Sequence, residues 1–387
     1  MAKISLELGM FKRYYSDQLN SLVKAKEVLV LYGPRQAGKT TLVEHFLKAF
    51  AGKYRFVTGE DAQIREVLES ENIGTLKKFS EGYELLVIDE AQYIENIGLC
   101  LKLFVDHIHD LKLLATGSAS FELANKIGEP LTGRKTTRVL FPVAQLELAL
   151  SLSEYDIKQN LHEYLIFGSY PAVLSRKTQK EKIEYLHELV GSYLLKDILA
   201  IEKLKNSKIL LQLVRLLAFQ IGKEVSYSEL GKQLGVDYKT IALYLDLLEK
   251  TFVIFSLSGF SRNLRKEISK SQRYYFYDNG IRNALISNFN RIDLRDDIGE
   301  LWENFIMVER KKRSEYLRDH SQRYFWRTYD KKEIDLIEES GGKICAYELK
   351  WKSDKRPRAF NEFLKAYPGS EAKIIHQDNY FDFVART

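Results

Sequence analysis

The 387-residue sequence contains only two cysteines, Cys100 and Cys345, far apart and with no CxxC or Cys/His cluster around either. This excludes a structural zinc module and a disulfide framework, and it fits a reducing compartment. Only six prolines occur, with no internal repeat and no low-complexity tract, so long flexible linkers are not expected. No uninterrupted apolar run approaches the ~20 residues that span a bilayer. The opening stretch MAKISLELGMFKRYYSDQL has no apolar core of signal-peptide length. The expectation is a soluble, cytoplasmic protein with no membrane partner.

What is present is a chain of ordinary globular composition, 45% hydrophobic and 29% charged. Its length predicts two or three domains. A net charge of +6 permits an anionic partner without demanding one.

The most specific segment is EVLVLYGPRQAGKTTLVEHFL. An apolar run over residues 27–32 predicts a buried parallel strand. Gly33 to Thr40 then spell G-x-x-x-x-G-K-[ST], and an amphipathic helix follows. Gly33 and Gly38 let the backbone turn so that its N–H groups converge on phosphates at a helix N-terminus. The expected phosphate cradle is Gly33, Pro34, Arg35, Gln36, Ala37, Gly38, Lys39, Thr40 and Thr41. Lys39 reaches the β- and γ-phosphates, and the Thr40 hydroxyl coordinates Mg²⁺. ATP and Mg²⁺ are therefore the expected ligands.

A second apolar run, ELLVIDEAQ, ends in two carboxylates. Asp89 is expected in the Mg²⁺ shell and Glu90 to polarise the attacking water. A third run, LKLLATGSAS, ends in hydroxyl residues, where Ser118 or Ser120 can also cap a helix. LTGRKTTRVL follows, and its Arg134 reads equally as an arginine finger for a neighbouring subunit or as an exposed loop arginine.

GPRQAGKTTL, LLVIDEAQ, ATGSAS and LTGR, in this order and spacing, resemble a group of prokaryotic AAA+ ATPases whose C-terminal half is a domain of unknown function. The resemblance runs from about residue 10 to the end of the chain. It implies an α/β fold with a five-stranded parallel sheet in 5-1-4-3-2 order and ATP at the strand C-termini, in keeping with open α/β sheets generally. It also implies that Ser118, with Thr116 close behind, orients the water. Residues 142–204, helical in periodicity, take the slot of a lid over the nucleotide. Within them FGSYPAVL is interrupted by Gly168 and Pro171 and predicts an ordered turn.

Residues 205–285 carry a helix-turn-helix pattern. Ser226 and Glu229 fit a capping box, Gly235 a turn and Asp237 a second cap. FVIFSLSGF and RYYFYD would pair as a hairpin, completing a winged helix. The helix after Asp237 presents only one cation, Lys239, near its start. The expected wing is basic, with Arg262, Arg265, Lys266, Lys270 and Arg273 against Glu267. DNA contact through phosphates and a rigid protein-docking connector are the two readings.

Residues 286–387 contain RYFWRTYDKKEIDLIEES and GGKICAYELKWKS, two strands. Asp335, Glu348 thirteen residues further on and then Lys350 form the PD-(D/E)XK pattern of nuclease-like domains, with Glu303 on the preceding helix as an additional acid. Asp335, Glu348 and Glu303 would bind Mg²⁺ through oxygen, and Lys350 would position a water or neutralise phosphate charge. Glu338 and Glu339 read as a solvated strand end.

The sequence thus predicts an AAA+ core over residues 1–141, a helical lid over 142–204, a winged helix over 205–285 and a nuclease-like domain over 286–387. The expected activity is ATP hydrolysis coupled to a nuclease-like, DNA-acting domain, with a homo-oligomer as the setting for Arg134. One alternative is a nucleotide-dependent switch or scaffold that binds a protein partner. A small-molecule phosphotransferase is a second, disfavoured by the water-activating glutamate of VIDEAQ.

Overall fold

The computed structural model describes residues 11–118, 131–194, 207–261, 272–328, 332–352 and 355–386. The chain divides into two compact units, one of residues 12–142 with Lys250–Phe252, the other holding 143–249 and 253–387.

The first unit is built on five parallel strands, β1 (Val28–Tyr32), β2 (Tyr54–Thr58), β3 (Leu85–Asp89), β4 (Lys112–Gly117) and β5 (Lys135–Val139). Their order is β2-β3-β4-β1-β5, the order the resemblance implies. β1 lies between β4 and β5, and its Val28, Leu29, Val30 and Leu31 are buried, as a two-sided sheet requires. Burial of each such side chain stabilises by about 2 kcal/mol. The helices Lys39–Ala49 and Ile97–His107 turn apolar residues inward, Leu42, Val43 and Phe46 from one and Leu101 and Phe104 from the other.

The second unit contains a seven-stranded sheet of β6 (Glu224–Val225), β7 (Ile254–Gly259), β8 (Gln272–Phe276), β9 (Gln322–Arg327), β10 (Glu333–Ser340), β11 (Lys343–Leu349) and β12 (Glu371–Ile375). The order is β12-β11-β10-β9-β7-β8-β6. β7 and β8 form the expected antiparallel pair. β7 also pairs in parallel with β9, through Ser258↔Tyr324 and Gly259↔Phe325. One sheet therefore runs across the boundary expected at residue 285. Of residues 142–204, expected as a lid, the described 143–194 cluster with this sheet unit and not with the first unit.

The helices Tyr227–Leu234 and Tyr238–Lys250 start and stop where the sequence places them. Ser226 Oγ accepts from Glu229 N, Asp237 Oδ1 accepts from Thr240 N at 2.7 Å, and Gly235 ends the first helix at φ +69°. Most of the expected wing, including Arg262, Arg265, Lys266, Glu267 and Lys270, lies outside the described residues. Arg273 is described and corrects that reading. It sits in β8, only 3% exposed, with its guanidinium on Glu333 at 2.6 Å and over the Phe325 ring. Glu338 is likewise buried in β10, held by Arg310 at 2.7 Å and Arg323 at 2.9 Å, where a solvated strand end was expected. Among the described residues no helix is long and apolar enough to cross a membrane.

Candidate nucleotide site and carboxylate cluster

The nucleotide site forms where β1 runs out. Gly33 adopts φ +150°, and a Cβ there would lie 2.1 Å from the Leu140 carbonyl oxygen, so only glycine lets the loop pass that strand end. Gln36 and Gly38 also have positive φ, and Gly38 opens the helix Lys39–Ala49, so the loop leads into a helix N-terminus that carries no side-chain cap. Lys39, 4% exposed, folds back inside the loop and donates to the carbonyls of Gly33 at 2.9 Å and Pro34 at 3.0 Å. Arg13 braces the loop from below, donating to the Ala37 and Phe141 carbonyls.

The strand neighbours supply the carboxylates. Asp89 ends β3, and its Oδ2 accepts from Thr40 Oγ1 at 2.9 Å while Oδ1 accepts from the Thr116 hydroxyl of β4. Thr40 and Asp89 thus present two oxygens at one point, the kind of hard oxygen donors a magnesium ion takes. Glu90 follows in the left-handed region, φ +48°, with its N–H held by Thr116 Oγ1 at 3.1 Å. Its carboxylate accepts from Gln92 Nε2, which also donates to Ser118 Oγ at 3.0 Å. The expected Lys39, Thr40, Asp89, Glu90 and Ser118 therefore meet in one place, and Thr116 joins them.

Arg134 does not. Its carbonyl accepts from Val28 N, so it stands beside the start of β1, and the phosphate loop follows the end of that strand. Five residues of strand correspond to roughly 16 Å. Its guanidinium pairs with Asp106 at 3.2 Å, half-exposed. Residues missed by sequence reasoning are Arg13 and Gln92. The signal for Gln92 was its place two residues after Glu90. Arg13 had none, because its partners lie 24 and 128 residues away.

In the second unit the expected acids also approach one another. The register between β9 and β10 shifts between Ile334 and Ile337, so Asp335 and Leu336 share a bulge, a device that redirects side chains. Asp335 Oδ2 accepts from Leu349 N at 2.8 Å, Glu348 Oε1 pairs with Lys350 at 2.6 Å, and Glu303 accepts from the Tyr275 hydroxyl at 2.7 Å. Gly222 leaves room for Glu303, whose Oε1 would lie 2.8 Å from a Cβ there. Glu348 Oε2 is buried with no hydrogen-bond partner.

Burial, then the neighbouring Asp335, pushes Glu303 up to about 8 and Glu348 up to about 7. Asp335 is raised by burial, against the Leu349 N–H, Lys350 and Arg273. For Lys350, burial is outweighed by Glu348, Asp335 and Glu303, which together raise it. The four predicted residues thus face one another electrostatically. Even so, among the described residues no three Asp, Glu, His or Cys side chains are grouped closely enough to hold a metal ion.

Three family models match successive parts of the chain. An AAA domain matches residues 25–149, a domain of unknown function (DUF8612) residues 158–292, and another (DUF4143) residues 298–383. An uncharacterized protein of Mycobacterium tuberculosis is 27% identical over 353 residues, covering 90% of this chain and 76% of the relative. One of Haemophilus influenzae is 24% identical over 394 residues, covering 95% of this chain and 93% of the relative. Among solved structures, a Walker-type ATPase of Pyrococcus abyssi is 15% identical and covers 72% of this chain and 96% of that one, with a TM-score of 0.47.

Proposed function

We propose that this chain, which carries an AAA domain over residues 25–149, binds ATP with magnesium and hydrolyses it to ADP and phosphate. The observation that carries the reading is the junction of Thr40 Oγ1 and Asp89 Oδ2 at 2.9 Å, next to a lysine already folded into the phosphate loop. In this reading the loop N–H groups and Lys39 take the phosphates. Thr40 and Asp89 hold the magnesium, which when bound neutralises phosphate charge. Glu90 takes a proton from the attacking water, and Ser118 orients that water. Arg134 serves a neighbouring copy's site within a homo-oligomer, not its own.

ATP turnover by purified protein tests this. Lys39→Ala should lose turnover and nucleotide affinity together. Glu90→Gln should keep nucleotide binding and lose turnover by about 100-fold or more. Wild-type turnover in Lys39→Ala would remove the assigned site.

For the second unit the reading is a winged helix followed by a nuclease-like domain that acts on a phosphodiester in DNA, with Asp335, Glu348 and Lys350 as its chemistry. One observation favours a second reading, a nucleotide-dependent switch that binds a protein partner without cutting. Glu348 Oε1 is taken up by Lys350 and Glu303 by the Tyr275 hydroxyl, so these carboxylates are already partnered within the chain. Incubation with plasmid and Mn²⁺ or Mg²⁺, with and without ATP, separates the two. Nicking that disappears in Asp335→Asn supports the nuclease-like reading, and intact plasmid supports the switch.

A further inference from the structure

The short turn Ala91–Tyr93 after the β3 carboxylates is fastened on three sides. Tyr93 Oη accepts from Arg35 Nη2 of the phosphate loop at 2.9 Å. Gln92, 6% exposed, spends the hydrogens of its one amide nitrogen on two acceptors, the Glu90 carboxylate and Ser118 Oγ at the end of β4. The backbone of Glu90 is fixed independently. It is in the left-handed region, its N–H is held by Thr116, and Gly59 approaches so closely that a Cβ there would lie 2.6 Å from the Glu90 carbonyl oxygen. With the backbone set, the direction of the Glu90 carboxylate depends on what holds its oxygens.

We propose that Gln92 is a positioning residue for ATP hydrolysis, which aims the Glu90 carboxylate and ties it to Ser118. The inference rests on the ATPase reading of this site and extends it. A carboxylate on two free rotors spends much of its time pointing away from the water it must deprotonate, and a donor fixed to the same turn removes that freedom. Because one amide serves both Glu90 and Ser118, a turn of the Ser118 hydroxyl toward the terminal phosphate changes the hydrogen bonding at Glu90. Through Tyr93 and Arg35 the same turn is linked to the loop that receives the nucleotide. Gln92 thus connects the arrival of the terminal phosphate with the aim of the base.

The test uses the full chain and measures kcat and KM for ATP, with affinity for a fluorescent ATP analogue. Gln92→Met keeps the length of the side chain and removes both N–H donors. It should lower kcat by about tenfold or more while analogue affinity stays within about twofold. Added to Glu90→Gln it should cost nothing further, because the group it aims is gone. A merely structural glutamine would lower affinity and turnover together. Gln92→Glu, which keeps the shape and sets a second carboxylate against Glu90, should lower kcat further and serves if Gln92→Met does not fold. Wild-type kcat in Gln92→Met while Glu90→Gln is slow overturns the inference and leaves the ATPase reading standing. A full tenfold loss added on top of Glu90→Gln also overturns it. Undiminished turnover in Glu90→Gln removes the ATPase role of Glu90 and this inference with it.

Discussion

Glu338 shows how much of this molecule is decided by single buried charges. Its carboxylate receives two arginines, Arg310 in a paired contact and Arg323, all three largely out of water. Burial works to raise the Glu338 carboxyl, but the hydrogen bond and charge of Arg310, with Arg323, outweigh it and hold the group below its ordinary 4.5. A carboxyl lowered in the folded state contributes stability above its unfolded value and loses it as pH falls through the folded value. Glu338→Gln should therefore cost about 3 kcal/mol in urea unfolding at pH 7, because two largely buried guanidinium groups lose the carboxylate they share. The difference from wild type should shrink steadily below pH 4.5. A constant difference across that range would mean that the carboxylate charge is not what Arg310 and Arg323 need.

The same residue marks a limit of the sequence. Gly33 to Thr40 and Asp89-Glu90 were legible because their chemistry needs fixed spacing along a strand, a turn and a helix start, all local. Glu338 has no such local signature. Alternation along β10 places it on a face but cannot say that Arg310, 28 residues before it, and Arg323, 15 before, arrive there. Arg273 was misjudged for the same reason. Its neighbours in sequence are basic, yet its partner Glu333 is 60 residues away.

At the scale of elements, the helices around Gly235 and the antiparallel β7–β8 pair were readable from caps and alternation, because those signals sit within the element. The parallel pairing of β7 with β9 was not, since it joins strands more than sixty residues apart and leaves no periodic trace. Its consequence is that β9 to β12 are not a self-contained sheet. Phe260 N donates to Phe325 O, Phe276 N donates to Asn304 Oδ1 at 2.7 Å, and Tyr275 holds Glu303. Phe260 also packs against Tyr324, Phe363 and Tyr367. A fragment of residues 286–387 exposes the β9 edge and strands Asn304 and Glu303 without partners. It should show no cooperative unfolding by circular dichroism and poor amide dispersion by NMR. A sharp urea transition with native-like dispersion would show that the pairing is dispensable.

For the whole molecule, the division into two units does not follow the order of the chain. Lys250–Phe252, at the end of the helix Tyr238–Lys250 and before β7, belong to the nucleotide unit, so that unit is not one continuous segment. Phe252 is 8% exposed and lies 5.7 Å from the Tyr32 ring and 6.3 Å from that of Phe141. Tyr32 is the last residue of β1, immediately before Gly33, and the Phe141 carbonyl receives Arg13, which braces the phosphate loop. Packing at Phe252 therefore supports the strand end from which the loop departs. Phe252→Ala should cost about 3 kcal/mol, the usual loss for a buried aromatic ring. Because the lost support lies under the loop, KM for ATP should rise as well, while Phe252→Leu restores most of both. Thermal unfolding with and without ATP and magnesium measures the two effects together. If Phe252→Ala melts like wild type and binds ATP as tightly, the ring carries no load beneath the loop, and the nucleotide unit is complete within residues 12–142.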